Sequence, residues 1–409
     1  MPQIENVTEM PVGLDPELIR NSLQKAFQDK DLEVVKYSIN SAIAKGENYL
    51  SQIFRVNAEI KSSKWNHKNF SFLVKSLPQG QESNDYIAEF LLFEKEAKML
   101  SEIIPKIHQH LSKAGYSHKL AAEVYYSQGR PNDLIILEDL CPLGYKIADR
   151  TIGLDLDHAV VVLESLAVFH AGSLALVEKE PGIVEGLGAG LWLEHNRKML
   201  QNLLEKGAIQ LANEVEKWDD APKKYVKLIR SLENSVLDKL FNAYGRKNDR
   251  LNVIMHGDPW TSNILFQYEN GKVQNVKFVD FQITGYNSPI LDLIYFIFTS
   301  TIGSIKLSKL NYFLEIYYAK LKETCEALKS SNFSYGFEDF KKDFESRLFF
   351  AVVVCLSAFP FTICQKDNLM DFNEILNDSG SDGRMFKTER YVRDMKMLLP
   401  FFEEKGLLQ

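Results

Sequence analysis

NVIMHGDPWTSNILFQYENGKVQNVKFVDFQ, residues 252–282, is the most informative stretch of this chain. Two apolar strands, NVIM and NILF, flank a short polar loop. A third strand, ending in KFVD, follows the Asn270-Gly271 pair, a strong hairpin signal between apolar strands. Asp258 stands two positions after His256, and Asn263 follows Asp258 after four intervening residues. Asp280 closes the strand that follows the hairpin. A short loop between two anchored strands can hold a carboxylate firmly, and the hairpin is flanked by Asn263 on one side and Asp280 on the other.

That spacing has a chemical meaning. Phosphoryl transfer needs a carboxylate that orients or deprotonates the attacking hydroxyl. It also needs hard oxygen ligands for Mg2+, because the transferring group carries concentrated negative charge. Asp258 has the place of the first, and Asn263 and Asp280 have the places of the second. Either short motif alone recurs by chance. The two in this order around a hairpin form a specific pattern.

Working outward, residues 16–28 read as a short amphipathic helix after a polar lead-in. VVKYSINSAIAKG, YLSQIFRVNAEIK and NFSFLVKSLP alternate apolar and polar residues and are rich in β-branched and aromatic types, which predicts a strand meander. Residues 85–104 change to helical spacing, with Pro105 as the stop. AAEVYYSQG and DLIILEDL form a strand pair around GRPND. Beyond Pro142 and Gly144 the chain reads as mostly helical, with a strong helix over 156–174 and one or two over 212–244, broken near Pro222. The divisions expected are a lead-in (1–30), a β-rich N-lobe (31–140) and a helical C-lobe (141–409), in an α+β, protein-kinase-like bilobal fold.

HGDPWTSNILF with VDFQ resembles the aminoglycoside- and choline-kinase superfamily, and within it the insect ecdysteroid-kinase-like family. The resemblance runs from about Lys36 to the end of the chain. It implies an ATP- and Mg2+-dependent kinase that phosphorylates an alcohol group of a small molecule, such as an ecdysteroid or another hydroxylated metabolite or xenobiotic. By the same resemblance Asp258 is the catalytic residue, and Lys75, in FLVKSLP, clamps the nucleotide phosphates. Glu96, in FEKEAKM, pairs with Lys75, with Glu94 as the alternative one helical phase away. Gly46 and Ser51 belong to the phosphate-covering loop. Glu138 to Leu140 form a hinge whose backbone holds adenine, with Asp139 stabilising it. His256 supports the loop through backbone near Asp280, Asp292 fixes the catalytic loop, and His170 packs behind it. His108 and His110 read as solvated. VDFQ in place of DFG, with Gln282 where a flexible glycine would stand, and the lack of an APE element both disfavour protein substrates. The rival reading is a ligand-binding pseudokinase without turnover. The segments 192–204 and 349–361 could line the acceptor pocket or simply be core.

Composition narrows the alternatives. The 409 residues are 45% hydrophobic and 25% charged, with a net charge of −7, ordinary for a folded chain and without a broad electrostatic grip on nucleic acid. Cys141, Cys325, Cys355 and Cys364 form no C-x-x-C pair and no zinc spacing, as expected of a reduced cytoplasmic protein. The apolar run 348–364 is short for a membrane span and contains Pro360, so it is expected to be a core helix. No P-loop or nucleophile-elbow motif competes.

Overall fold

The computed structural model describes residues 3–7, 10–42, 51–77, 91–129, 133–220, 222–232, 235–248, 250–331, 333–365 and 383–409. The chain divides into two compact units, one of residues 1–106 and 121–146, the other of residues 107–120 and 147–409. The second unit thus takes in 107–120, a detour that a linear division at residue 140 does not include. The first unit carries the larger β-sheet and the second is mostly helical, in keeping with the expected α+β class.

Alternation builds the first unit. β1 (Gln3–Val7), β2 (Glu33–Ser41), β3 (Gln52–Lys61), β4 (Lys68–Ser76), β5 (Val124–Gln128) and β6 (Leu134–Glu138) form one sheet in the order β1-β2-β3-β4-β6-β5. The β1–β2 pair is parallel and the other neighbours are antiparallel. The two-residue period sends Ile39, Phe54, Val56, Phe72 and Val74 to one face, where they form a core with Ile19 and Leu23 of α1 (Pro16–Ala26). Asp15 caps α1 by accepting from Leu18 N, and Pro16 opens its first turn. Lys75, one residue past Val74, is therefore on the face away from α1, opposite Ile53 on β3 and Ile135 on β6.

The helix expected to stop at Pro105 does not. α2 (Leu92–Lys98) passes through a π-helical turn, Met99–Ile103, into α3 (Ile104–Lys113). In the wide turn Ile104 N reaches back to Met99 O, and the run continues across the position where Pro105 has no N–H to give. The start expected at residue 85 lies outside the described residues. β7 (Tyr145–Ile147) stands at the division between the units.

In the second unit α4 (Leu156–Lys179) is capped by Asp155. It is the one helix among the described residues long and apolar enough to cross a membrane by length and composition, and 72% of that apolar stretch is buried inside the molecule. The expected 212–244 region resolves into the end of α5 (Arg197–Val215), then α6 (Lys224–Ser231) and α7 (Val236–Tyr244). β8 (Val253–Met255) pairs with β11 (Gly285–Asn287), and β9 (Ile264–Glu269) with β10 (Lys272–Phe278). Asn270 and Gly271 both take left-handed backbone, φ 51° and 77°, as a tight hairpin turn requires. α8 (Ile290–Ser300), α9 (Leu310–Ala327), α10 (Phe337–Arg347), α11 (Phe349–Leu356), α12 (Ala358–Thr362) and α13 (Glu389–Glu404) complete the unit. The run 348–364 forms α11 and α12; α11 is buried along its whole length, as a core element.

Candidate active site

In the first unit, Lys75 and Glu96 meet as an ion pair, Nζ to Oε2 2.6 Å, with both side chains at most 3% exposed. Of the two glutamates open in the sequence, Glu96 is therefore the one joined to Lys75. A buried pair of this kind holds the ammonium at a fixed point, since neither charge can leave the other without a large desolvation cost. Ser51 is buried just before β3. Gly46 lies outside the described residues.

At the end of β6, Asp139 accepts from Arg55 Nε (2.7 Å), Ser71 Oγ (2.8 Å) and Cys141 N (3.1 Å). Burial alone would raise its carboxyl. The hydrogen bonds from Arg55, Ser71 and Cys141 outweigh burial and hold it below the ordinary value. This tie fixes the segment 138–140. Within it, Glu138 N donates to Glu123 O, and Leu140 O accepts from Leu143 N and Tyr145 N.

In the second unit the loop between β8 and β9 is fastened from below by one carboxylate. Asp292 accepts from His256 N (2.7 Å), Gly257 N (2.9 Å) and His170 Nε2 (3.0 Å). His170 Nδ1 is in turn paired with Tyr317 Oη at 2.7 Å. His256 is fully buried; its Nε2 donates to Val279 O (3.0 Å) and its Nδ1 accepts from Asp258 N (3.3 Å). Burial pushes the imidazole down, so it stays neutral and can serve as donor on one side and acceptor on the other. Gly257 has φ 87°, and a Cβ there would stand 2.2 Å from Ile283 O, so no larger residue fits without moving backbone.

The loop's far end closes on Asp258. Asn263 Nδ2 donates both to Asp258 O and to Asp258 Oδ2, each at 3.0 Å. With its NH2 engaged there, the amide leaves its oxygen as the group available to a cation. Val279 N donates to Asn263 O (3.0 Å), which ties the loop to the residue before Asp280. Asp280 itself has φ 65°, unusual for a side chain other than glycine. Burial raises the Asp258 carboxyl to about 7. The neighbouring Asp280 charge adds to that, while hydrogen bonds from Tyr295, Asn263 and Trp260 oppose it.

One amide oxygen and one carboxylate suit Mg2+, which takes few protein ligands and leaves places for phosphate oxygens. Among the described residues no cluster of three or more His, Cys, Asp or Glu side chains forms a self-sufficient metal cage.

A profile of the ecdysteroid kinase-like family matches residues 45–330, well over half of the chain. The chain belongs to that family. The match takes in Lys75, Glu96, Asp258, Asn263, Asp280 and Asp292. Solved structures similar to this ecdysteroid kinase-like chain include an amicoumacin kinase in complex with AMP-PNP, Ca2+ and Ami, at 12% identity and TM-score 0.40, covering 89% of this chain and 88% of that one. Another is a mutant aminoglycoside 2'-phosphotransferase-IIIa as its GDP complex, at 14% identity and TM-score 0.40, covering 96% and 97%. The wild-type enzyme's GDP complex follows at 13% and 0.37, covering 96% and 99%. No curated protein matches.

The ecdysteroid kinase-like motifs do not reveal everything that holds the loop. Three residues of α8 grip it: Asp292 at His256 and Gly257, Tyr295 at Asp258, and Ser300 Oγ at Thr261 N (3.0 Å). At 100° per residue these three fall within one arc of the helix. Tyr295 and Ser300 were not legible as site residues; the only cue was their spacing from Asp292. His108, expected to be solvated, is half-buried and accepts from Leu120 N (3.0 Å), because residues 107–120 pack with the second unit. Trp192 and Phe350, from the two expected pocket segments, pack ring to ring at 5.6 Å and are buried as core.

Proposed function

We propose that this ecdysteroid kinase-like protein is an active small-molecule kinase that transfers the γ-phosphate of ATP to an alcohol group, with an ecdysteroid or another hydroxylated metabolite or xenobiotic as acceptor. The observation that carries the reading is the Asp258–Asn263 pair, hydrogen-bonded within one buried-backed loop. In this reading Asp258 orients the acceptor hydroxyl and takes its proton, and its raised carboxyl suits a base working near neutrality. Asn263 and Asp280 would hold Mg2+, which supplies charge neutralisation at the phosphates. Lys75, fixed by Glu96, would clamp the phosphates, with Ser51 and Gly46 in the covering loop. The base would lie against backbone groups of 138–140 other than those already engaged. His256 and Asp292 are supports. Catalysis would come from positioning and electrostatics. Four free cysteines fit a reducing, cytoplasmic setting.

The test is incubation with labelled Mg·ATP and a panel of hydroxylated small molecules that includes ecdysteroids and choline, with Asp258→Ala and Asp280→Ala in parallel. A phosphorylated product that both substitutions nearly abolish supports the reading. Mg·ATP binding without turnover across the panel would point instead to the pseudokinase, and a product undiminished in both variants would sink the assigned roles.

A further inference from the structure

Gln282 is buried, 1% exposed, and among the described residues neither its Nε2 nor its Oε1 has a hydrogen-bond partner. It stands two residues beyond Asp280, in a turn that runs against the catalytic loop. On one side of it the Phe281 ring packs on the His256 ring at 4.7 Å between centroids. On the other side the Ile283 carbonyl faces Gly257 so closely that a Cβ there would clash. The backbone around it is well tied: Thr284 Oγ1 donates to Met255 O at 2.6 Å and Thr284 N to Phe281 O at 3.4 Å. The carboxamide alone is idle.

An idle carboxamide in a protein interior is costly twice over, once for the donor and once for the acceptor. Native interiors hold few such groups, and those they do hold call for a reason. Leucine or methionine would fill the same volume with no orphaned atoms. A glutamine is retained sensibly if a partner arrives in another state of the protein. That partner must offer both an acceptor and a donor, because a carboxamide presents NH2 and C=O together. A metal–nucleotide complex brings both: phosphate oxygens accept, and the hydration water of a divalent cation donates.

We propose that Gln282 is a positioning residue of the nucleotide site, its carboxamide gaining its hydrogen bonds when the metal–nucleotide complex binds beside Asp280. The proposal rests on the reading of Asp280 as a metal ligand. It makes Gln282 a group that penalises the empty protein and rewards the loaded one. The coupling runs through the turn 280–284, whose backbone is held to the catalytic loop on either side of Gln282.

The experiment compares wild type, Gln282→Leu and Gln282→Met by thermal unfolding and by calorimetric titration with Mg·AMP-PNP. Removing the two orphaned atoms should raise the melting temperature of the free protein by roughly 3–6 °C. The same substitutions should shrink the stabilisation by Mg·AMP-PNP and raise its Kd about tenfold, one lost hydrogen bond's worth. Methionine keeps the unbranched shape should leucine pack badly. If both variants are less stable than wild type when free, Gln282 has a partner already and the proposal falls. If both are more stable but bind Mg·AMP-PNP as wild type does, the carboxamide is merely a defect, and the proposal falls too. If wild type itself shows no Mg·AMP-PNP binding, the failure lies with the kinase reading, and the inference falls with it.

Discussion

Asp258 holds its proton to a higher pH in the folded chain than in the unfolded one, about 7 against the ordinary 3.8, chiefly through burial. Between those values the folded state binds a proton that the unfolded state lacks. Stability contributed by that proton is present at low pH and is lost as pH rises towards 7. Asp258→Asn mimics the protonated form, so it should gain roughly 2–4 °C in melting temperature over wild type at pH 8, clearly less at pH 5 and nothing below about pH 3, while activity falls by about 100-fold or more. Thermal scans across these pH values decide this; an equal gain throughout would contradict the burial argument. The Lys75–Glu96 pair makes a second prediction at this scale. Glu96→Ala strands a buried ammonium and should cost about 3–5 kcal/mol, whereas Lys75→Met with Glu96→Leu should recover most of the loss. Denaturant titration of the three proteins would show whether the double substitution is the milder one.

Helix α8 is the element on which the loop proposed as catalytic depends. Ser300→Ala removes the acceptor for Thr261 N and should cost about 1–2 kcal/mol and lower kcat roughly tenfold, with far-ultraviolet dichroism unchanged. Unchanged kinetics would show that Asp292 and Tyr295 suffice. Gly257→Ala forces a Cβ into Ile283 O at a left-handed position and should destabilise by more than about 2 kcal/mol, measured by chemical denaturation. Elements of this kind were legible in the sequence to the extent that their signals are local. Alternation marked the strands, Asn270-Gly271 marked its hairpin, and His256, Asp258, Asn263 and Asp280 stood at recognisable spacings. Contacts such as Ser300 to Thr261 span 39 positions and depend on how a helix is rotated under a loop, which no short window records. Pro105 misled because a π turn absorbs what an α-turn would not. The choice between Glu94 and Glu96 required knowing which face of the helix meets Lys75, which the spacing of its apolar residues did not fix to within a residue or two.

At the scale of the whole molecule, the four cysteines are free, three of them buried and Cys141 exposed. A thiol reagent should therefore label one site in the native protein and four after denaturation, and a reductant should leave the melting temperature unchanged. Two or more fast-reacting thiols in the native state would mean that the helical unit opens more readily than its packing implies. Burial pushes the Cys325 and Cys355 thiols up to about 12, which further slows them. The three anchors on α8 carry one more consequence, for how such a protein can change over time. Residues 292, 295 and 300 work as a ruler: adding or removing a single residue between them would turn the rest of the helix by about 100° and detach the loop at one end. Variation in length is thus barred from this helix and must collect in connections such as the Asn270-Gly271 turn, so that a lineage changing what it recognises would do so by exchanging side chains around an unvarying gauge.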